Sequence, residues 1–322
     1  MKHVWILALD GLMDSSLAIT LDLLRAAQAV VDRSASPEKL EYRVLGLRPQ
    51  VRTACGLTLR TDVSFQGAAA REDLPQWAIV PAMGEYGPAL AAHLRRPDAL
   101  RAGELLHRLH AAKVRIAASC ASVFLLAEAG LLARRHATTT WWLAGDFRQR
   151  YPGVALDERH MVVRDGPLLT AGSAFSQLDL MLAVLTDLAG ARVADLCARY
   201  LLIDRRPSQA RYMMASHALH HDPVVAAAER WIDEHLAEHL SVQALARHLA
   251  MSERSLARKV QAATGQPPIK LIQRRRLMMA THLIETTKLP IEQVAERVGY
   301  QDSTTLRRLM RREMAISPSG LR

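Results

Sequence analysis

SVQALARHLAMSERSLARKVQAATGQPP, from Ser241 to Pro268, returns in altered form as PIEQVAERVGYQDSTTLRRLMRREMAISP, from Pro290 to Pro318. Aligned from the left, Val242 meets Ile291, Leu245 meets Val294, Ala246 meets Ala295, Leu249 meets Val298 and Ala250 meets Gly299. One extra residue after Gly299 then brings Leu256 onto Leu306, Val260 onto Met310, Gly265 onto Ala315 and Pro268 onto Pro318. Internal repetition of this kind decides the architecture before any single element does.

Each copy has the grammar of a helix-turn-helix. In the first, Ser241 can cap a short helix by accepting a free N–H two or three residues on. Val242, Leu245, Ala246 and Leu249 share one face at helical period. Ala250-Met251 leaves room for a tight turn, and Ser252 can cap a second helix with Leu256 and Val260 inward. In the second copy Pro290 suits a first helical turn, and Gly299 suits a turn of positive φ. Between the copies, Ile269, Ile272, Leu277, Ala280, Leu283 and Ile284 form an apolar stripe on one long helix, which would hold the copies at a fixed separation.

Charge agrees with this reading. Residues 240–322 carry 15 Lys and Arg against 6 Asp and Glu, whereas the other 239 residues carry 27 against 26. Nearly all of the net +10 therefore lies in the last quarter of the chain. That asymmetry points to a polyanion, since neutralising phosphates releases condensed counterions.

These residues resemble the AraC/XylS DNA-binding domain. Its S-x-x-x-L-x-R-x-F core stands here as Ser252 to Val260, its T-G-x-x-P end as Thr264 to Pro268, and its closing G-[FY]…S-P-x-x-[YF]-R as Gly299-Tyr300 and Ser317 to Arg322. Arg276-Leu277 and Ala280 match the linker helix. Val260, Leu306 and Met310 replace the family's Phe, Leu321 its Tyr and Ala315 its Gly. All but Ala315 are apolar exchanges, for which altered packing is expected and not lost binding.

The rest of the chain is bounded by length and composition. With 322 residues, half of them apolar, two domains with real cores are expected. Met1-Lys2-His3 runs into an apolar strand without the build of a signal peptide. No uninterrupted apolar run reaches the ~18 residues of a membrane span. Cys55, Cys120 and Cys197 are widely separated and odd in number, which fits a reducing compartment. A cytoplasmic protein without membrane contact is expected, with no cofactor and no metal.

Residues 1–200 alternate strand and helix. Strands are expected at Val4–Leu9, Tyr42–Leu47, Trp77–Pro81 and Val114–Ala118, and a hairpin at Met161–Val163 and Leu168–Thr170 around Asp165-Gly166. Helices are expected on Leu17, Leu21, Leu24 and Val31, and over Arg101–Ala112, Ser122–Ala129, Ser176–Leu188 and Ala191–Leu202. Such alternation implies a parallel sheet covered on both faces.

Ala118-Ser119-Cys120-Ala121-Ser122 joins a strand directly to a helix, the shape of a nucleophile elbow. A helix N-terminus there can lower a thiol pKa. With Leu125 to Leu132 and Ala137-Thr138-Thr139-Thr140-Trp141, the stretch looks like the ThiJ/PfpI branch of the class I glutamine-amidotransferase-like superfamily, in the version fused to AraC-type domains in the GlxA group of regulators. Gln177 to Leu180, with Asp179, and Asp204 to Gln209 match that group too. The resemblance implies a flavodoxin-like α/β domain at residues 1–208, a linker at 209–222 and an all-α domain with two helix-turn-helix motifs at 223–322.

Catalysis by cysteine needs a base within reach of the sulfur. The family's histidine of A-T-T-H-W is Thr140 here, and the superfamily's acid after the first strand falls near Ser16, so a disabled elbow is expected. Residual chemistry could recruit His136. Cys55 and Cys197 are expected to pack as small hydrophobes. The elbow is then expected to bind a small effector, because free N–H groups attract a carboxylate and crevices at strand carboxyl ends hold ligands. Pocket candidates are Ser16, Met83, Gly84, Cys120, Ala121, Thr140 and Trp141, with Trp141-Trp142 able to face a cation.

DNA contacts are expected from recognition-helix residues off the apolar face: Arg254, Ala257 and Arg258 in the first copy, and Ser303, Thr304, Arg307 and Arg308 in the second. An Arg on a guanine edge supplies ~1–3 kcal/mol of discrimination. Lys270, Arg274, Arg275, Arg311 and Arg312 are expected at phosphate or in solvent. The two recognition helices should stand ~34 Å apart, one turn of DNA. The expected protein is an effector-controlled transcription regulator, an activator by resemblance, with double-stranded DNA, RNA polymerase and a second copy of itself as partners. Its rivals are a cysteine hydrolase or glyoxalase-like enzyme using Cys120, and a redox sensor on the same residue.

Overall fold

The apolar run near the N-terminus, Lys2–Leu7 (β1), becomes a central strand of a seven-stranded sheet. The computed structural model describes residues 2–33, 39–70, 73–206, 208–209, 212–213, 222–264, 266–314 and 317–318. It divides into two units, Met1–Ala144 with Tyr151–Pro207, and Gly145–Arg150 with Ser208–Arg322. Of the expected linker at 209–222, residues 209, 212, 213 and 222 are described. Gly265, Ala315 and Ile316 of the repeat, and residues 319–322 of the closing motif, lie outside the described residues.

After β1 the chain runs through α1 (Asp14–Val31), β2 (Leu40–Gly46), β3 (Gln50–Arg52), β4 (Thr58–Arg60), β5 (Val63–Ser64) and α2 (Phe65–Ala69). It continues with β6 (Trp77–Val80), α3 (Gly87–His93), α4 (Pro97–Ala111), β7 (Arg115–Ser119), α5 (Ser122–Glu128) and β8 (His136–Ala137). A 3₁₀ turn at Trp141–Leu143 leads to α6 (Ala144–Arg150), β9 (Ala155–Leu156), β10 (Val162–Asp165) and β11 (Leu168–Ala171). A second 3₁₀ turn, Ala174–Ser176, precedes α7 (Gln177–Ala189) and α8 (Ala191–Tyr200).

The sheet order is β10-β11-β7-β6-β1-β2-β5, parallel except for β10, which pairs antiparallel with β11. The expected parallel sheet is therefore present, with the hairpin as its one reversed edge. The chain leaves β1 toward β2 on one side and later adds β6 on the other, so the carboxyl ends of β1 and β6 mark a topological switch point. Alternate side chains of the sheet, Val4, Ile6, Ile79, Ala117 and Leu169, share one buried core with α1, α7 and α8. Helices α4 and α5 pack on β7.

Several boundaries differ from expectation. β1 starts two residues early and ends at Leu7, because Ala8 and Leu9, although buried, lead into the Asp10-Gly11 loop. The buried face of α1 centres on Ser16, Thr20, Leu23, Leu24 and Ala27, and Leu21 is only partly buried. The antiparallel β3–β4 ribbon and the β8–β9 pair are built of strands only two or three residues long, too short for apolar alternation to stand out. Cys197 is buried in the core as expected, but Cys55 is exposed on the loop after β3, its N–H bonded to Asp14.

The second unit comprises α9 (Pro223–Glu234), α10 (Val242–His248), α11 (Glu253–Thr264), α12 (Pro268–Thr286), α13 (Ile291–Arg297) and α14 (Ser303–Met314). Its described residues form two cores, with Met279 packed against both. Leu245, Ala246, Leu256 and Val260 pack with α9 and with Leu271 and Ile272 at the start of α12. Val294, Ala295, Val298, Leu306 and Met310 pack with Leu277, Ala280 and Ile284 further along it. Thus α12 is the shared wall of both copies. Val260, Leu306 and Met310, which stand where a phenylalanine is usual, are fully buried. Ile269, expected in the apolar stripe of α12, is 45% exposed, because the first turn projects it away from both cores.

Candidate effector pocket and nucleic-acid interface

At the end of β7, Cys120 takes φ 56°, and α5 begins two residues later. A left-handed residue with a Cβ costs of order 1–3 kcal/mol, so this turn is held by its surroundings. The Cys120 N–H donates to the carbonyls of Ala171 and Gly172 at 3.1 and 2.7 Å. The Cys120 carbonyl accepts from Thr139 Oγ1 at 2.8 Å. The sequence supplies only small residues on either side, Ser119 and Ala121, both buried. This is the strained strand–turn–helix of a nucleophile elbow.

Its electrostatics differ from the expected lowering by the helix end. The backbone N–H groups of Ala121 and Ala174 pull the thiol pKa down, but burial outweighs them and pushes it up to about 11. Removing a thiolate from water costs more than two N–H dipoles return. Among the described residues no imidazole hydrogen-bonds the sulfur. His136 on β8 is instead tied to Asp165, by its backbone N–H at 2.8 Å and its ring Nδ1 at 3.4 Å.

The other pocket candidates fall in three groups. Ser16 and Met83 are fully buried at the switch point. Ser16 Oγ accepts from the Ala82 N–H at 2.8 Å, and Met83 pairs with Leu12 in an isolated bridge. Gly84 is exposed, its N–H bonded to Gly11 O at 3.1 Å. Thr140 is fully buried with its hydroxyl unpartnered, while Thr139 beside it bonds Cys120. Trp141 is partly buried and meets the half-exposed Trp142 edge-on, with ring centroids 5.5 Å apart.

Sequence reading missed a polar chain that underlies the elbow. Ser119 Oγ donates to Gln177 Oε1 at 2.6 Å, Gln177 Nε2 to Thr20 Oγ1 at 2.8 Å, and Thr20 Oγ1 to Ser16 O at 2.8 Å. All four residues are buried, so each bond is costly to leave unmade. The visible signal was polar Ser16 and Thr20, four residues apart on a helix face otherwise apolar. Beside it, Asp179 holds Arg206 through Nε and Nη2, and Arg206 Nη2 also donates to Phe175 O at 2.6 Å.

In the second unit each copy builds its turn alike. Ala250 and Gly299 take φ 51° and 76°, and the N–H groups of Met251 and Tyr300 reach back to Ala246 O and Ala295 O, both at 2.9 Å. These bonds close each first helix. Ser252 Oγ then caps α11 through the Ser255 N–H at 3.2 Å, and Asp302 Oδ1 caps α14 through the Thr305 N–H at 2.7 Å.

The capped helices present their polar faces outward. Arg254 and Arg258 are exposed and Ala257 half-buried on α11, with Leu256 and Val260 turned in. Thr304 and Arg308 are exposed on α14, and Ser303 and Arg307 are half-buried. The last two lean on Glu292 of α13: Ser303 Oγ donates to Glu292 Oε1 at 3.2 Å, and Arg307 Nη2 lies 3.8 Å from that oxygen.

Four of the basic residues expected at phosphate or in solvent are engaged within the protein, Arg274 by donating from Nη2 to Met213 Sδ at 3.5 Å. Arg275 is buried and grips Asp233 of α9 with both Nε and Nη2. Lys270 Nζ donates to Glu313 at 3.0 Å, and Arg312 pairs with the same carboxylate. For Arg275 and Lys270 charge counting cannot foresee this, because their partners come from α9 and α14. Among the described residues no group of three His, Cys, Asp or Glu side chains is arranged to hold a metal ion, and no helix is long and apolar enough to cross a membrane.

The pattern of the DJ-1/PfpI family matches residues 2–187, and that of a helix-turn-helix domain matches residues 245–322. The chain is 28% identical over 241 residues to the HTH-type transcriptional regulator CdhR of Pseudomonas aeruginosa, a match covering 72% of this chain and 66% of that protein. It is 34% identical over 92 residues to the HTH-type transcriptional activator RhaS of Escherichia coli, covering 29% of this chain and 33% of that one. The crystal structure of Drosophila melanogaster DJ-1beta superposes with a TM-score of 0.51 at 20% identity, over 63% of this chain and 98% of that one, which establishes the shared fold. With its elbow on a parallel sheet and its duplicated helical reader, the chain belongs to the DJ-1/PfpI family and carries a C-terminal AraC-type helix-turn-helix domain.

Proposed function

We propose that this protein is a transcription regulator, an activator, that binds double-stranded DNA through the two helix-turn-helix copies and a small effector at the elbow of its DJ-1/PfpI domain. The carrying observation is the pair of capped helices that turn Arg254, Arg258, Thr304 and Arg308 to solvent over buried cores. Arg254, Ala257, Arg258, Ser303, Thr304, Arg307 and Arg308 are assigned to DNA. A homodimer contacting RNA polymerase in the cytoplasm, divided at 1–208, 209–222 and 223–322, completes the reading. The test is retardation of the full chain on the DNA upstream of its own gene. Binding that weakens steeply with salt is expected; no retarded species at low salt contradicts the reading.

The effector would enter beside Cys120, where the buried Thr140 hydroxyl has no protein partner and Trp141 offers an aromatic edge. A buried hydroxyl without a partner is a reason to expect a polar ligand group there. Ser16, Met83, Gly84 and Ala121 would shape the walls. Thermal-shift screening against carboxylates and quaternary amines checks this, since a ligand of the folded state raises the melting temperature by mass action. No shift with any member at millimolar concentration opposes it.

We further propose that Cys120 does not act as a nucleophile. Its thiol stays protonated near neutral pH because burial raises its pKa to about 11. A pKa raised on folding stabilises the folded state below the unfolded value near 9, and that contribution is lost as pH climbs through 11. Iodoacetamide labelling of Cys120 should therefore stay slow through pH 8 and accelerate only above pH 9. Rapid labelling at pH 7 would revive the hydrolase reading.

A further inference from the structure

Arg276 on α12 reaches across to both helix-turn-helix copies. Its Nη2 donates to Glu238 O at 2.6 Å, in the segment that leads from α9 into α10, the first helix of the first copy. Its guanidinium carbon lies 5.5 Å from the ring centroid of Tyr300, directly after the turn of the second copy. Arg276 Nε and Tyr300 OH are both buried there without hydrogen-bond partners. The backbone of Gly299 lies close against the guanidinium. A Cβ added to Gly299 would sit 2.5 Å from Arg276 Nη2 and 2.3 Å from Leu236 O.

The second copy's turn thus rests on the backbone that leads from α9 into the first copy, with one planar cation filling the gap. Among the described residues, what the two hydrophobic cores have in common is the helix α12, with its Met279 packed against both. A guanidinium suits the position because it stacks on an aromatic face and donates in its own plane at once. Its neighbour Arg275 makes a different connection, to Asp233 of α9 within the first copy.

We propose that Arg276 sets the spacing and phase at which the two copies read DNA, so that the protein measures the distance between two subsites as well as their sequences. This rests on the reading of the second unit as a DNA binder. An extra base pair between subsites shifts the second by ~3.4 Å and about a tenth of a turn. A rigid clamp must strain or release one copy to follow it; a loosened one adapts.

The experiment uses the full chain and duplexes selected by it from a random 30-base-pair library, then remade with one or two base pairs inserted between the protected halves. The unaltered protein should lose about tenfold or more in affinity per insertion, the scale of a lost base contact. Arg276→Met and Tyr300→Leu should lose less than threefold on the same insertions, while Arg276→Lys recovers part of the penalty. Circular-dichroism melting accompanies each variant. If Arg276→Met melts below the assay temperature, Tyr300→Leu and Arg276→Lys decide. Variants that weaken binding equally on all spacings, or keep the full insertion penalty, overturn the assignment of Arg276. Selection of no duplex by the unaltered protein overturns the DNA-binding reading; selection of a duplex indifferent to insertion overturns the clamp alone.

Discussion

The two helix-turn-helix copies share a backbone and differ in nearly every polar detail. Each turn needs a left-handed residue; the first copy places Ala250 there and the second Gly299. Each recognition helix needs a cap; the first uses a neutral Ser252, the second a charged Asp302. Ala257 of the first corresponds to Arg307 of the second, and Gln243 to Glu292. The first copy therefore offers Arg254 and Arg258 with no ion-pair partner among the described residues, whereas the second holds Arg307 beside a carboxylate. The fold fixes caps, turn and core, and leaves the groove-facing chemistry free to diverge.

The difference can be tested in order of expected effect. Gly299→Ala should be the most damaging single change, because the new methyl meets the Leu236 carbonyl and Arg276 at a positive φ. A loss of ~3 kcal/mol or more is expected, read as a lower melting midpoint and lost DNA retardation. A stable Gly299→Ala protein would mean that the copies are not pressed together as described. Next, Arg258→Ala should weaken binding to the selected duplex by ~1–3 kcal/mol and relax one base preference. An equal loss on random DNA would assign Arg258 to phosphate.

Ala250→Gly should move the other way. Relieving a left-handed Ala is worth ~1–2 kcal/mol and glycine's added freedom in the unfolded chain removes ~0.4–1 of it. A net gain of about 0.5–1 kcal/mol in urea melting is expected, and a destabilised variant would show that Ala250 contributes packing that its turn geometry hides. Smallest is Glu292→Gln. The ion pair with Arg307 is solvent-exposed and worth at most ~1 kcal/mol, so stability should hardly move. Arg307, no longer drawn to Glu292, should engage the DNA more fully and steepen the salt dependence of binding by up to about one unit. An unchanged slope would mean that Glu292 does not restrain it.

What the sequence disclosed and what it hid divide along a physical line. The repeat, the caps Ser241 and Ser252, the glycine turn and the strand–elbow–helix at Cys120 are local: each depends on residues a few positions apart. The hidden features join distant segments. Arg275 looked like a phosphate contact because its partner Asp233 is 42 residues away. Ser119, Gln177 and Thr20 meet only after α1, β7 and α7 assemble. The thiol of Cys120 was expected to feel the helix end, which is legible in sequence, but burial dominates it and is a property of the finished core. Cys55 is exposed for the complementary reason, since its loop finds no core to enter.

Hydroxyl-radical footprinting of the full chain on the DNA it selects tests the central claim most directly. Two protected segments centred about one helical turn apart are expected, one removed by Arg254→Ala with Arg258→Ala and the other by Arg307→Ala with Arg308→Ala. A single protected segment, or two that respond identically to both pairs of substitutions, would contradict the claim that the copies read separate stretches of groove.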